Sequence, residues 1–127
     1  MTNYQAVAPD PRDFLPLKDL VFRILVALAE GERHGASLVE ALQDSDGRAR
    51  PLPGHLYRTL DRMLDDGLIE ERDRPSSLTP PRSARGPAPS RYFRLAPLGR
   101  DVARAETRRL EALIAKSRAG QLLKERR

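Results

Sequence analysis

Between Leu52 and Ile69 the chain reads Leu-Pro-Gly-His-Leu-Tyr-Arg-Thr-Leu-Asp-Arg-Met-Leu-Asp-Asp-Gly-Leu-Ile. His55, Tyr57, Arg58, Thr59 and Arg62 bring an imidazole, a phenol, a hydroxyl and two guanidinium groups together in this stretch. Guanidinium pairs with phosphate or with the edge of guanine, and Gly54 lets a phosphate approach the backbone closely. This chemistry recognises a partner rather than making bonds, and the partner it fits best is double-stranded DNA. Catalysis has little to work with. The chain has no cysteine, and its two histidines, His34 and His55, lie in separate segments. Neither a glycine-rich phosphate loop nor a histidine–glutamate zinc motif occurs. No enzyme activity, cofactor or metal is therefore expected.

A helix must present these groups. Leu56, Leu60, Met63 and Leu64 form an apolar stripe at helical spacing, which leaves His55, Arg58, Thr59 and Arg62 mostly on the other side. Pro53 suits a first turn and Gly67 the residue just beyond the end. Two helices are expected before it. Residues 16–30 place Leu17, Leu20, Val21, Ile24, Leu25 and Leu28 on one face, with Gly31 as terminator. Residues 36–43 follow a turn at Arg33-His34-Gly35, with Ser37 and Glu40 as a candidate capping box. His34 reads as a turn residue with an ordinary hydrogen bond more readily than as a ligand. Asp44 to Arg50 is a polar loop. Two helices joined by a short turn, the second bearing the basic face, form a helix-turn-helix.

Strands are expected over residues 68–74 and 91–95, around a segment from Pro75 to Pro89 that is too rich in proline for regular structure. A hairpin in this place is a wing. From Arg72 to Arg94 it carries six arginines (72, 74, 82, 85, 91, 94) and one acid, Asp73. Arg82, Arg85 and Arg91 are the candidate DNA contacts, because arginine meets phosphates and fits narrow minor grooves. A solvated basic loop is the plainer alternative. Pro97 then opens a long helix whose stripe includes Leu98, Val102, Ala105, Leu110, Leu113 and Ile114. A stripe that outruns a small domain calls for a second copy of itself. Val102, Ala105, Leu110, Leu113 and Ile114 are the expected dimer contacts. Residues 1–15 read as a loose arm and 120–127 as a basic tail.

The 127 residues suit one domain with an arm. The net charge of +5 favours an anionic partner. The absence of cysteine excludes disulfides and is simplest in a reducing cytoplasm. The longest apolar run, Ile24 to Ala29, is too short to span a membrane, and none is expected.

Leu17-Lys18-Asp19-Leu20, Gly31-Glu32-Arg33-His34-Gly35, Pro53-Gly54-His55-Leu56-Tyr57-Arg58-Thr59-Leu60, Gly67-Leu68-Ile69-Glu70 and Arg91-Tyr92-Phe93-Arg94-Leu95-Ala96-Pro97-Leu98-Gly99 occur in this order. Together they resemble the PadR family of bacterial transcriptional regulators, over Leu15 to about Lys116. The resemblance implies a mainly α protein with a small β-hairpin: a winged helix-turn-helix over 16–96, with its wing over about 69–95, and a C-terminal dimerisation helix over 97–119. It implies a homodimeric repressor of a palindromic operator, released by a small-molecule effector. The family's DNA-facing positions fall on Gly54, His55, Tyr57 and Arg58, with Arg62 beside them. An effector would lie between the first and last helices, against Phe22, Leu98 and Val102. His55 departs from the small threonine or serine common in the family, and Leu52 replaces a common capping serine. The proline-rich wing is longer than the family's usual one. A protein-binding module is the alternative function, favoured by the acids Asp61, Asp65, Asp66, Glu70 and Glu71.

Overall fold

The computed structural model describes residues 9–42, 52–72 and 91–122. These residues form helices α1 (Asp19–Ala29), α2 (Gly35–Ala41), α3 (Pro53–Asp65) and α4 (Pro97–Ala119), and strands β1 (Arg33–His34), β2 (Ile69–Arg72) and β3 (Tyr92–Leu95). The strands make an antiparallel sheet in the order β1-β3-β2. This is a winged helix with a long final helix, as expected from the sequence. Arg33 and His34, expected in a turn, instead form the edge strand β1. Two residues carry no readable period; their strand character comes from pairing with Phe93 and Tyr92, far along the chain. His34 meets the Tyr92 ring edge-on at 4.7 Å.

The core is built from one face of each helix. Ile24, Leu25 and Leu28 of α1, Leu38 of α2, and Leu56, Leu60 and Met63 of α3 close over Leu68, Ile69 and Phe93 of the hairpin. Val102 of α4 lies wholly inside this core. That corrects its assignment to the dimer seam and the effector site, since a side chain enclosed by its own protomer has no face left for either.

The turn from α3 into β2 follows from Gly67. Its φ of +80° is left-handed, a conformation that glycine adopts without a Cβ clash. The Gly67 N–H donates to the Leu64 carbonyl (3.1 Å) and the Leu68 N–H to Met63 (3.0 Å), which satisfies the last carbonyls of α3. The buried side chains of Leu68 and Met63 accompany this pairing. Helix starts conform less well to expectation. The first helix begins at Asp19 rather than Pro16. Ser37 and Glu40 make no capping box, because α2 already begins at Gly35 and Ser37 is two residues inside it. Leu52, as its side chain requires, provides no side-chain cap to α3.

The part of the arm described here is not loose. Pro11–Phe14 forms a 3-10 turn, and Asp10 accepts from the Arg12 backbone N–H at 2.9 Å. Phe14, Leu15 and Leu17 pack on the core, around a cis Leu15–Pro16 peptide. Glu106 fastens this segment to α4. Its carboxylate is only 2% exposed. It accepts from the Leu17 N–H at 3.0 Å and from Arg109 at 2.6 and 3.1 Å. A charged residue on a helix ordinarily lies on its solvent face. The place of Glu106 four residues after Val102 puts it instead on the inner face, where paired donors offset the desolvation of the charge.

The Leu98-Gly99 pair has a steric reason. A Cβ on Gly99 would run into the Leu68 backbone carbonyl, so α4 lies directly against the end of the α3–β2 turn. The same carbonyl accepts from the Ala96 N–H at 3.1 Å. Among the described residues no helix is long and apolar enough to cross a membrane.

Two stability predictions follow from these contacts. Gly99→Ala must push α4 away from Leu68 and should lower unfolding free energy by about 1–3 kcal/mol, read by urea denaturation. The Arg109 hydrogen bond, helped by the Leu17 N–H and opposed by burial, holds the Glu106 carboxyl below its ordinary range. A carboxyl depressed in the folded state stabilises above its unfolded pKa of about 4.3, and this contribution fades as pH falls through the folded value. Glu106→Gln should therefore cost about 1–3 kcal/mol at pH 7, and the gap to the parent protein should close in acid. Urea melts across pH 3–8 check it; a gap that stays constant with pH would refute the ionic latch.

Candidate nucleic-acid interface

With the exposed acid Asp65 two turns further on, Arg58 lies opposite the buried Leu56–Leu60–Met63 face of α3 at about 100° per residue. Gly54, His55 and Arg62 flank it, and all four are exposed. Among the described residues Arg58 and Arg62 have no hydrogen bond or ion pair. The Arg58 guanidinium lies over the start of the helix, where a Cβ on Gly54 would stand 3.5 Å from its Nη1. Gly54 thus leaves the first turn open beside a free cation. Thr59 is half-buried, and its hydroxyl donates to the His55 carbonyl at 2.9 Å.

Tyr57 lies on the flank toward the hairpin, half-buried, with its ring against the core. Burial pushes its hydroxyl above the ordinary phenol range, and the nearby Arg91 charge pulls the other way. It stays a neutral donor at physiological pH. The ring packs while the hydroxyl keeps a polar edge, an arrangement suited to a residue at the rim of an interface.

The arginines at the base of the hairpin behave differently from those on α3. Arg94 pairs with Glu70 at 2.6 Å, directly across the strands, and Arg72 with Glu32 at 2.8 Å. Arg91 binds Glu71 and, at 2.9 Å, Asp61 of α3, with its guanidinium 5.2 Å from the centre of the Phe93 ring. Its hydrogen bond with Glu71 leads the effects that raise its pKa further, so it remains charged. Arg91 was expected on DNA; the structure makes it the tie between α3 and the hairpin. The reason is a counting window. From Arg72 to Arg94 the sequence has one acid, but the fold brings in Glu70, Glu71, Glu32 and Asp61 from outside. The same pairs take up acids that had favoured a protein partner. Arg82, Arg85, the Pro75–Pro89 segment and the Asp44–Arg50 loop lie outside the described residues.

The residues expected around an effector do not converge. Phe22 lines a groove of about 460 Å³ between α1, α2 and α4, with Val26, Leu42 and Leu110. Leu98 instead lies beside Gly67, whose Cβ would come within 3.9 Å of it, and Val102 is in the core. Along α4, Ala105 and Leu110 are half-buried. Leu113 and Ile114 are 52% and 46% exposed.

Solved structures share this fold. A PadR-like transcriptional regulator from Bacillus cereus superposes with a TM-score of 0.58 at 23% identity, over 84% of this chain and 93% of that one. A transcriptional regulator from Clostridium thermocellum gives 0.60 at 18%, over 89% and 93%. The adhesin competence repressor of Streptococcus pyogenes gives 0.55 at 17%, over 88% and 72%. No curated protein matches the chain. The sequence pattern of the Transcriptional regulator PadR-like family matches residues 24–105, the span that holds the helix-turn-helix, the hairpin and the first turns of α4. The free cations on α3, the arginine-tied hairpin and this match lead to one assignment: the chain belongs to the PadR-like family of transcriptional regulators.

Proposed function

We propose that this regulator acts as a homodimeric repressor in the cytoplasm, reads a palindromic operator with α3, and leaves it when a small molecule binds. One observation carries the DNA reading. On α3 the cations Arg58 and Arg62 are exposed and have no ion pair among the described residues, whereas Arg72, Arg91 and Arg94 are each paired with a carboxylate of this chain. A charge left without a partner on a helix opposite its core face is placed for phosphates and base edges. Gly54, His55 and Tyr57 complete that face, and Arg82 and Arg85 would extend it from the wing.

The dimer reading rests on α4. Its inner stripe runs Gly99, Val102, Glu106, Leu110, Leu113, Ser117. The first three are buried by this chain's own core, and the stripe continues outward through residues that are not. Leu113 and Ile114, with Leu110 and Ala105 behind them, are apolar surface that a second α4 would cover.

A mobility-shift titration with a duplex from the chain's own upstream region tests the DNA reading. The duplex should win over random competitor, with affinity that falls steeply with salt. Arg58→Ala should weaken the specific duplex by about 1–3 kcal/mol and relax one base preference if it reads a base. An equal loss on random duplex would assign Arg58 to phosphate, and no preference for the upstream duplex at any salt would refute operator recognition.

The dimer is tested by sedimentation. The parent chain should run at twice its 14.3 kDa mass, and Leu113→Asp combined with Ile114→Asp should return it to a single chain. A parent that sediments as a monomer, or a variant still dimeric, would remove α4 from the interface.

A further inference from the structure

A cleft of about 620 Å³ separates the segment leading into α1 from the outer side of α3. Both of its walls carry positive charge. Arg58 and Arg62 stand on the α3 wall, and Lys18, the residue before α1, stands on the other. All three are exposed, and among the described residues none has an ion pair or hydrogen bond. Asp66 is the one acid among the described residues of the lining. Asp19, beside Lys18, is taken up by Arg23 at 2.7 Å. The backbone that carries Lys18 is fixed on both sides. The Leu17 N–H donates to the buried Glu106 carboxylate at 3.0 Å, and the Lys18 carbonyl accepts from the Phe22 N–H at 3.1 Å. Phe14 and Leu17 pack on the core. The fold thus holds an unpaired ammonium at a set place across from the unpaired guanidinium groups of α3.

We infer that Lys18 is a DNA-positioning residue: it takes a phosphate of the strand that borders the groove read by α3, and that strand runs along the cleft between Lys18 and Arg62. The inference rests on the proposed reading of DNA by α3 and adds a contact from outside the helix-turn-helix and the wing. The early turns of a recognition helix meet base edges, and sugar-phosphate backbone borders them. Arg58 lies in the second turn of α3, and Arg62 lies one turn further on, toward the rim of the groove. A cation beyond that rim meets phosphate and not bases. Lysine suits the place, because its ammonium is a point charge on a long stem and needs no planar match to its partner. The apolar surface of Leu17 and Leu20 in the same cleft suits the carbon face of deoxyribose. Cations on α3 alone leave its depth in the groove free to vary. Contacts from two elements to one strand fix it, which is how a phosphate contact without sequence information sets the register of the residues that read bases.

The test uses the full chain with the upstream duplex and a random duplex, each titrated against salt. Lys18→Ala should weaken both duplexes by the same factor and lower the slope of log affinity against log salt by about one per chain bound, the loss of one phosphate contact. Lys18→Arg should restore the slope. Arg100→Ala removes the same charge from the exposed side of α4, outside the cleft, and should leave the slope unchanged. A second readout uses upstream duplexes in which one phosphate at a time is a neutral methylphosphonate. One position in each half of the operator should weaken the parent chain and make no difference to Lys18→Ala. A lysine that only supports the fold gives no such position. A Lys18→Ala slope equal to that of the parent would overturn the inference, as would a loss matched by Arg100→Ala. A loss confined to the upstream duplex would make Lys18 a base reader and overturn it as well. A chain that binds both duplexes equally refutes operator recognition while the salt slopes still decide the role of Lys18; a chain that binds neither overturns both.

Discussion

The guanidinium of Arg91 is where α3 and the hairpin are joined. It reaches Glu71 on the neighbouring strand and Asp61 on α3, and it lies over the Phe93 ring whose other contacts are core. For the proposed docking on one duplex, the angle between α3 and the hairpin matters as much as the residues each carries. Hydrophobic contact between α3 and β2 alone would permit sliding. A planar fork shared between two carboxylates has direction and sets that angle. Arg91 is about a quarter exposed, but its partners Asp61 and Glu71 are more open to solvent, so the tie acts through its geometry more than through its energy.

A second constraint holds the opposite side. The Leu68 carbonyl receives the Ala96 N–H, and Gly99 passes so close to it that a side chain there would collide. The turn after α3 and the start of α4 are thereby locked to one another. Glu106, one turn beyond Val102, does the same for the segment before α1. The three contacts involve polar atoms at the edges of an apolar core. The core supplies most of the favourable free energy, as it does in any small domain, but it is non-directional. The directional contacts decide which arrangement of α1, α3 and α4 the burial produces.

Charge is arranged by the same logic. The chain is basic overall, yet the basic residues fall into two kinds. Those at the hairpin base meet carboxylates and build the fold. Those on the outer face of α3 meet none among the described residues, and neither do Lys18 or Arg100, Arg108, Lys116 and Arg118 along α4. A uniform basic surface would attract any polyanion. On α3 the unpaired guanidinium groups of Arg58 and Arg62 stand near one another on the side away from the core, so a groove could meet both together.

Much of this was legible in the residues themselves. The stripe Leu56-Leu60-Met63, the Pro53 start and the Gly67 exit specify α3 and its exposed face, because helix period, a missing amide proton and a left-handed backbone are local properties. The spacing of Leu, Ile and Val in α1 and α4 marks their buried faces for the same reason. Non-local partners were not legible. That Arg33 and His34 form a strand depends on Tyr92 and Phe93. That Arg91 is a tie rather than a free cation depends on Asp61 and Glu71, which no window around it contains. That Glu106 is buried, and that Val102 is enclosed by its own protomer, depends on how far along α4 the core reaches. Periodicity says which side of a helix is apolar. Only the packed chain decides where along that side the core ends, and which charges it brings within reach of one another.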